Sequence, residues 1–188
     1  MGPSSLDRAA RALAAGELVV FPTDTLLGLG ARAGDADAVA ALAEAKARPG
    51  AQPLSAAVSS LEEVERYGRL APPARAFVRR HLPGPYTILL APTAEARRWL
   101  APAVSGGPTI GLRVPDHPVA RELARRVGPV VATSANRHGA PPARSVAEAR
   151  RAFGRAVRVY LPPTPAPSGR PSSIVDLTGG RPRPVTRP

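Results

Sequence analysis

Residues 19–58 read VVFPTDTLLGLGARAGDADAVAALAEAKARPGAQPLSAAV, and their pattern sets the fold. Val19, Val20 and Phe21 form a β-branched and aromatic run that Pro22 stops, since proline has no N–H to give a sheet. A polar turn follows at Thr23, Asp24 and Thr25, and then a glycine-rich segment with Gly28, Gly30 and Gly34. The next residues keep helical spacing; Asp35 or Asp37 caps the run and Pro49 terminates it. PLSAAV, ending at Val58, reads as a short buried strand. At the helix end stands Lys46, the only lysine among 26 Lys and Arg. Arginine therefore serves wherever a generic surface cation is needed. The solitary ammonium marks a task suited to a compact point charge, such as facing a phosphate.

Outward from this stretch, strands and helices alternate. Leu6, Ala9, Ala10 and Leu13 place a helix over residues 5–15, with Gly16 at its C-terminal cap. Helices are predicted over 61–67 and 74–82, and Pro83-Gly84-Pro85 then breaks the chain before a strand at 87–91. TIGLRV at 109–114 is strand-like, VARELARRVG is a helix closed by Gly128, and PVVATSAN is a strand running into a polar turn. Ser145 caps a further helix, and strands are expected at 157–161, 173–176 and 183–186. Between them, residues 162–171 hold five prolines and read as a loop and a candidate lid. Uninterrupted aliphatic strands between helices predict an α/β fold with a twisted sheet covered on both faces. Several strand-to-strand steps are too short for crossovers, so the sheet is expected to be mixed. With no repeat and no dividing linker, residues 1–188 are read as one domain.

A chain of 188 residues can bury roughly 70% of its unfolded surface. Its 44% hydrophobic and 21% charged content is ordinary for a globular protein. With only three Phe, three Tyr and one Trp, the core has to be aliphatic. The absence of cysteine excludes disulfides, thiolate metal sites and a cysteine nucleophile. The first twenty residues carry Asp7, Arg8, Arg11 and Glu17 and no long apolar block, which predicts no leader, no membrane anchor and a cytoplasmic location. A net charge of +12 favours polyanions or anionic small substrates.

Familiar phosphate motifs fail. There is no G-x-x-x-x-G-K-[ST] loop, and Ala33 stands where G-x-G-x-x-G needs its third glycine. His81, His117 and His138 lack metal-ligand spacing and read as surface or loop residues. Three polar clusters remain: Thr23-Asp24-Thr25 after a buried strand, Lys46-x-Arg48 with Gln52 beyond it, and Thr133-Ser134-Ala135-Asn136 after another apolar strand. Each could be plain turn chemistry or dipole complementation at a helix end. Yet the only lysine, only glutamine and only asparagine all fall in these turns, which favours a shared ligand site.

FPTDTLLGLGA, KARPGAQPLS, LPGPYTILL, TIGLRVPDHPVA, TSANRHGAPP and SSIVDLTGG occur in this order across nearly the whole chain. Together they resemble the YrdC-like family, whose members include the enzymes that begin t6A modification of tRNA. The resemblance implies an α/β fold of the double-stranded-RNA-binding type with an open basic cleft, in the short single-domain form. It also implies that L-threonine, bicarbonate and ATP are joined into threonylcarbamoyl-AMP with release of pyrophosphate. On the matching positions, Lys46 and Arg48 are the catalytic K-x-R that neutralises the ATP phosphates and the carboxylate. Ser134 and Asn136 match an S-x-N that contacts the nucleotide, and Gln52, Thr109 and Arg187 fall on the ATP side. Pro142 replaces a nucleotide-side serine of some relatives, which leaves a backbone contact there. Thr25, Arg113 and Ser172 match threonine-binding positions. Mg2+ is expected to arrive with ATP, without a dedicated protein metal site. Leu27 and Ala57 depart from an aromatic and a histidine found in relatives.

Downstream threonylcarbamoyl-transfer proteins are the implied partners, with tRNA or double-stranded RNA as a further one and no membrane. A competing reading is an RNA-binding module of the same fold without synthase activity. For it the sequence offers two arginine stripes at helical spacing, Arg75, Arg79 and Arg80, then Arg121, Arg125 and Arg126.

Overall fold

In β1 (Leu18–Pro22) all five residues are buried, because alternate side chains feed two different cores. Val19 and Phe21 pack with Leu13, Ala120 and Leu123 on one face of the sheet. Leu18 and Val20 pack with Leu42, Ala149 and Phe153 on the other. Each fully buried Leu, Val or Phe contributes roughly 1.5–3 kcal/mol. The computed structural model describes residues 4–47 and 54–186.

The chain runs α1 (Ser5–Ala14), β1, β2 (Leu27–Arg32), α2 (Ala36–Ala45), β3 (Ser55–Ala57), α3 (Leu61–Tyr67), β4 (Gly68–Arg69) and α4 (Pro72–His81). It continues through β5 (Tyr86–Pro92), α5 (Ala94–Trp99), α6 (Pro102–Ser105), β6 (Ile110–Arg113), α7 (Pro118–Val127) and β7 (Val130–Ser134). After α8 (Val146–Phe153) and a short 3-10 turn come β8 (Val157–Tyr160), β9 (Ser173–Asp176) and β10 (Arg183–Val185). One sheet holds the strands in the order β10-β9-β5-β6-β3-β7-β2-β1-β8, with β4 pairing β5. Pairing is parallel at β1–β8, β3–β6 and β5–β9 and antiparallel elsewhere, so the sheet is mixed, as expected. Helices α1 and α7 cover part of one face, while α2 and α8 contribute to the larger core on the other. No helix of the described residues is long and apolar enough to cross a membrane.

Three features differ from the sequence expectation. The glycine-rich segment is a full strand, β2, whose register pairs Gly28 with Phe21 and with Ser134. Gly30 is there for space: a Cβ on it would lie 2.5 Å from Phe21 Cε1 and 3.1 Å from Val130 Cγ1. β1 does end at Pro22, yet the proline itself lies inside the pairing, opposite Leu27, and the turn closes through Thr23 N–H to Leu26 O at 3.1 Å. His117 is neither a surface nor a loose loop residue. It is 2% exposed and caps α7, with Nδ1 accepting the Val119 N–H at 3.2 Å. Its ring is polar at two atoms, and both are satisfied inside the protein, which is what permits burial. Asp35, rather than Asp37, caps α2; the expected stop at Pro49 lies outside the described residues.

Helix α1 is held at its start by a capping box between Ser4 and Asp7. Asp7 also accepts from Arg126 Nη1 of α7 at 2.6 Å, and Arg126 Nε reaches Glu122 at 2.6 Å. The Ser4 hydroxyl first, and Arg126 next, hold the Asp7 carboxyl down at about 2, below its ordinary 3.8. A carboxylate whose pKa falls on folding contributes stability that is complete above its ordinary value and fades as the pH drops toward the folded value. Asp7→Asn should therefore lower the melting temperature at neutral pH. The gap to the parent protein should close as the pH is taken from about 4 to about 2, and parallel thermal melts across that range check it. A gap that stays constant across the range would mean that the carboxylate charge has no part in joining α1 to α7.

Candidate active site

Strand alternation carves the site. On β7, Val130 packs beneath α7, and Ala132 and Ser134 stand on the same face beyond the helix. They line a cavity of about 570 Å3, within the usual range for small-molecule sites. Ser55 and Ala57 of β3, Gly111 and Arg113 of β6, Thr87 and Leu89 of β5, and Ile174 of β9 continue the same floor. Their neighbours in sequence, among them Ala56, Leu112, Ile110, Ile88, Leu90 and Val175, turn the other way into the core. Small residues on the open face leave the volume, and large ones on the closed face fill it. A Cβ on Gly111 would come within 2.7 Å of Ser55 Oγ, so this position has to be bare for the hydroxyl to face the cavity. The floor spans β9 to β2, six neighbouring strands and about 24 Å at the usual strand spacing.

At one end, Lys46 follows α2 as its C-cap and is only 5% exposed. Its Nζ donates to Ser134 O at 2.6 Å and Asn136 O at 2.8 Å, with a longer contact of 3.4 Å to Asn136 Oδ1. The Lys46 carbonyl accepts from the His138 amide at 2.8 Å. Asn136 Nδ2 donates to Arg137 O and Ala140 O at 2.9 and 2.6 Å, so the turn is tied from within. The only lysine and only asparagine of the chain are in direct contact. The carbonyl dipoles of the turn after β7 thus hold the ammonium at close range.

At the other end, Arg113 donates from Nη2 to Asp24 Oδ1 at 2.6 Å, from Nη1 to Thr25 Oγ1 at 2.7 Å and from Nε to Gly84 O at 3.2 Å. The Arg113 and Asp24 side chains are 11% and 15% exposed. Thr23 spends its hydroxyl proton on Leu26 O at 2.7 Å, so in the 3.0 Å contact between the two threonines it is Thr25 that donates. The lone pairs of Thr25 are thereby turned toward the guanidinium. Next to them, Thr87 Oγ1 and Ser172 Oγ lie 2.9 Å apart and buried. Residues 168 and 169 of the proline-rich loop donate their amides to Asp24 O and Thr25 O at 3.0 and 2.9 Å.

Eight of the residues picked from the sequence line this one cavity: Thr25, Lys46, Thr109, Arg113, Ser134, Asn136, Pro142 and Ser172. Arg48, Gln52 and Arg187 lie outside the described residues. Sequence reasoning missed Ser55 and Thr87, whose signal was their parity in short strands, and the pairing of Asp24 with Arg113. Among the described residues lining the cavity there is no carboxylate. No group of His, Asp or Glu among the described residues is arranged to hold a metal ion.

The two arginine stripes fare differently. Arg75 is bound to both carboxylate oxygens of Glu65 at 2.9 Å. Arg121 pairs with Asp116, Arg125 with Glu122, and Arg126 with both Glu122 and Asp7. Four of the six cations offered to RNA are thus already engaged with acids of the same chain.

The Sua5/YciO/YrdC family model, described as "Telomere recombination", matches residues 11–188. A protein of Mycobacterium tuberculosis strain H37Rv is 43% identical over 178 residues, covering 94% of this chain and 80% of its own. The threonylcarbamoyl-AMP synthase of Halorhodospira halophila is 40% identical over 183 residues, covering 95% of this chain and 93% of its own. Among solved structures, P. abyssi Sua5 complexed with L-threonine superposes with a TM-score of 0.80 at 29% identity over 94% of this chain. The chain spans about half of that protein, 52% of its length.

Arg113→Met would leave the Asp24 carboxylate without its charged partner. A hydrogen bond to a charged group is worth about 1.5–3 kcal/mol, so a stability loss of that order is expected in urea denaturation. Adding Asp24→Asn should recover part of it. Full additivity of the two losses would show that the ion pair contributes nothing.

Proposed function

The chain belongs to the Sua5/YciO/YrdC family, and from that premise we propose that it is a threonylcarbamoyl-AMP synthase. It joins L-threonine, bicarbonate and ATP into threonylcarbamoyl-AMP and releases pyrophosphate, the first step of t6A modification of tRNA. The observation that carries this reading is one cavity, with no carboxylate among its described lining residues, that has an ammonium-and-amide end at Lys46 and Asn136 and a guanidinium-and-hydroxyl end at Arg113 and Thr25.

Chemistry assigns the two ends. The threonine amine adds to the bicarbonate carbon with loss of water, and a carbamate oxygen then attacks the α-phosphorus of ATP as pyrophosphate leaves. Anion meets anion in that step, so fixed cations have to offset the repulsion. Lys46 and Arg48 do so. For Lys46 the long 3.4 Å contact to Asn136 Oδ1 is the one a phosphate oxygen replaces at least cost. Ser134, Asn136, Thr109, Gln52, Arg187 and the backbone at Pro142 hold the nucleotide. Arg113, Thr25 and Ser172 hold the threonine carboxylate and hydroxyl. No protein nucleophile is required; holding three substrates in line supplies most of the acceleration. Mg2+ enters with ATP and offsets phosphate charge, since it favours phosphate oxygens over an all-protein cage.

On this reading the chain acts in the cytoplasm as one domain, with residues 162–171 as a lid over an open basic cleft. The labile adenylate passes to separate threonylcarbamoyl-transfer proteins that meet the tRNA. Pyrophosphate release should need ATP, L-threonine and bicarbonate together, with mass detection of the adenylate. Lys46→Ala should lose at least about a hundredfold in turnover, the scale of removing one charge-stabilising donor. Release that persists without threonine, or full turnover in Lys46→Ala, would sink the assignment.

A further inference from the structure

His117 is a buried titratable side chain that this chemistry leaves unused, and it does not line the cavity. Its Nδ1 accepts the Val119 N–H, which fixes the ring proton on Nε2, and Nε2 donates to Pro165 O at 3.1 Å. Pro165 stands in the middle of the proline-rich loop. Five of the ten residues from 162 to 171 are proline and have no N–H to give. Among the described residues, three hydrogen bonds fasten this loop to the body of the protein. They are His117 to Pro165 O, Ser168 N–H to Asp24 O, and Gly169 N–H to Thr25 O. The last two land on the residues that orient Arg113, and the loop then delivers Pro171 and Ser172 to the cavity wall.

We propose that His117 is a positioning residue for the amino-acid end of the cavity. Through Pro165 it straps the loop onto the turn carrying Asp24 and Thr25, and so sets Arg113 and Ser172 where the carboxylate and hydroxyl of threonine are met. The proposal rests on that end being the threonine site. The imidazole does two jobs with two atoms: Nδ1 caps α7, and Nε2 holds the strap. Two substitutions separate them, since the Asn amide oxygen falls near the place of Nδ1 and the Gln amide nitrogen near that of Nε2. His117→Asn keeps the cap and loses the strap; His117→Gln keeps the strap and loses the cap.

Three readouts decide it: melting temperature, hydrogen exchange at the Ser168 and Gly169 amides, and KM for threonine and for ATP from pyrophosphate release. His117→Asn should melt close to the parent, exchange those two amides faster and raise the threonine KM about two- to tenfold, the worth of one hydrogen bond, with the ATP KM unchanged. His117→Gln should melt lower, with threonine KM and exchange near the parent values. The proposal is overturned if His117→Asn leaves exchange and threonine KM as they were, if both KM values move together, or if His117→Gln alone raises the threonine KM. A parent protein that releases no pyrophosphate with all three substrates would instead refute the synthase reading. The exchange arm would then still decide whether His117 holds the loop.

Discussion

A sheet can close one face and leave the other open only where large and small side chains alternate along its strands. That constraint governs the middle of this molecule. Ile110 and Leu112 fill the core from the positions next to Gly111 and Arg113, and Ile88 and Leu90 do so from beside Thr87 and Leu89. A one-residue slip of β6 would put Leu112 into the cavity and Arg113 into the core. The site and the hydrophobic core are therefore specified by the same register. Helices α1 and α7 cover the face where Val19, Phe21 and Val130 are large enough to need them, with Val159 of β8 packed against the same cluster.

The charges of the site follow a second rule: each buried cation is held by groups that suit its shape. Lys46 gathers carbonyl oxygens around a compact ammonium. Arg113 spreads its fork over a carboxylate, a hydroxyl and a carbonyl, so its plane is fixed before any ligand arrives. The first arrangement supplies field and the second supplies orientation. Elsewhere most of the arginine excess remains at the surface, and part of it is consumed locally, as at Glu122, which meets both Arg125 and Arg126 and has its carboxyl held at about 2.

The strand–helix alternation and most element positions were legible in the sequence because they rest on local periodicity. Lys46 and Asn136 stood out as the single members of their type, and they touch. Thr25 stood in a polar turn after a buried strand, whereas family resemblance alone pointed to Arg113 and Ser172. What stayed hidden depended on distant partners. The glycine-rich segment carries no strand signal because glycine disfavours strands, and only the Phe21 ring explains why a strand has to carry Gly30. His117 read as exposed because its acceptor, Pro165 O, lies 48 residues on. Of the acids that meet the arginine stripes, the one that joins Arg126 to α1 was hidden in the same way, since Asp7 is 119 residues away.

The two ends of the sheet have a bearing on what it can recruit. β10 is three residues long, exposed throughout and centred on Pro184, with Arg183 before it. A short strand with a proline in the middle has one N–H fewer to offer a ladder, and a guanidinium on it repels another copy. The opposite border, β8, carries the exposed Arg158. A sheet wide enough to recruit strands from its neighbours thus ends on both sides in residues that refuse them. Each border strand of the nine-strand path is therefore a poor template for a further strand.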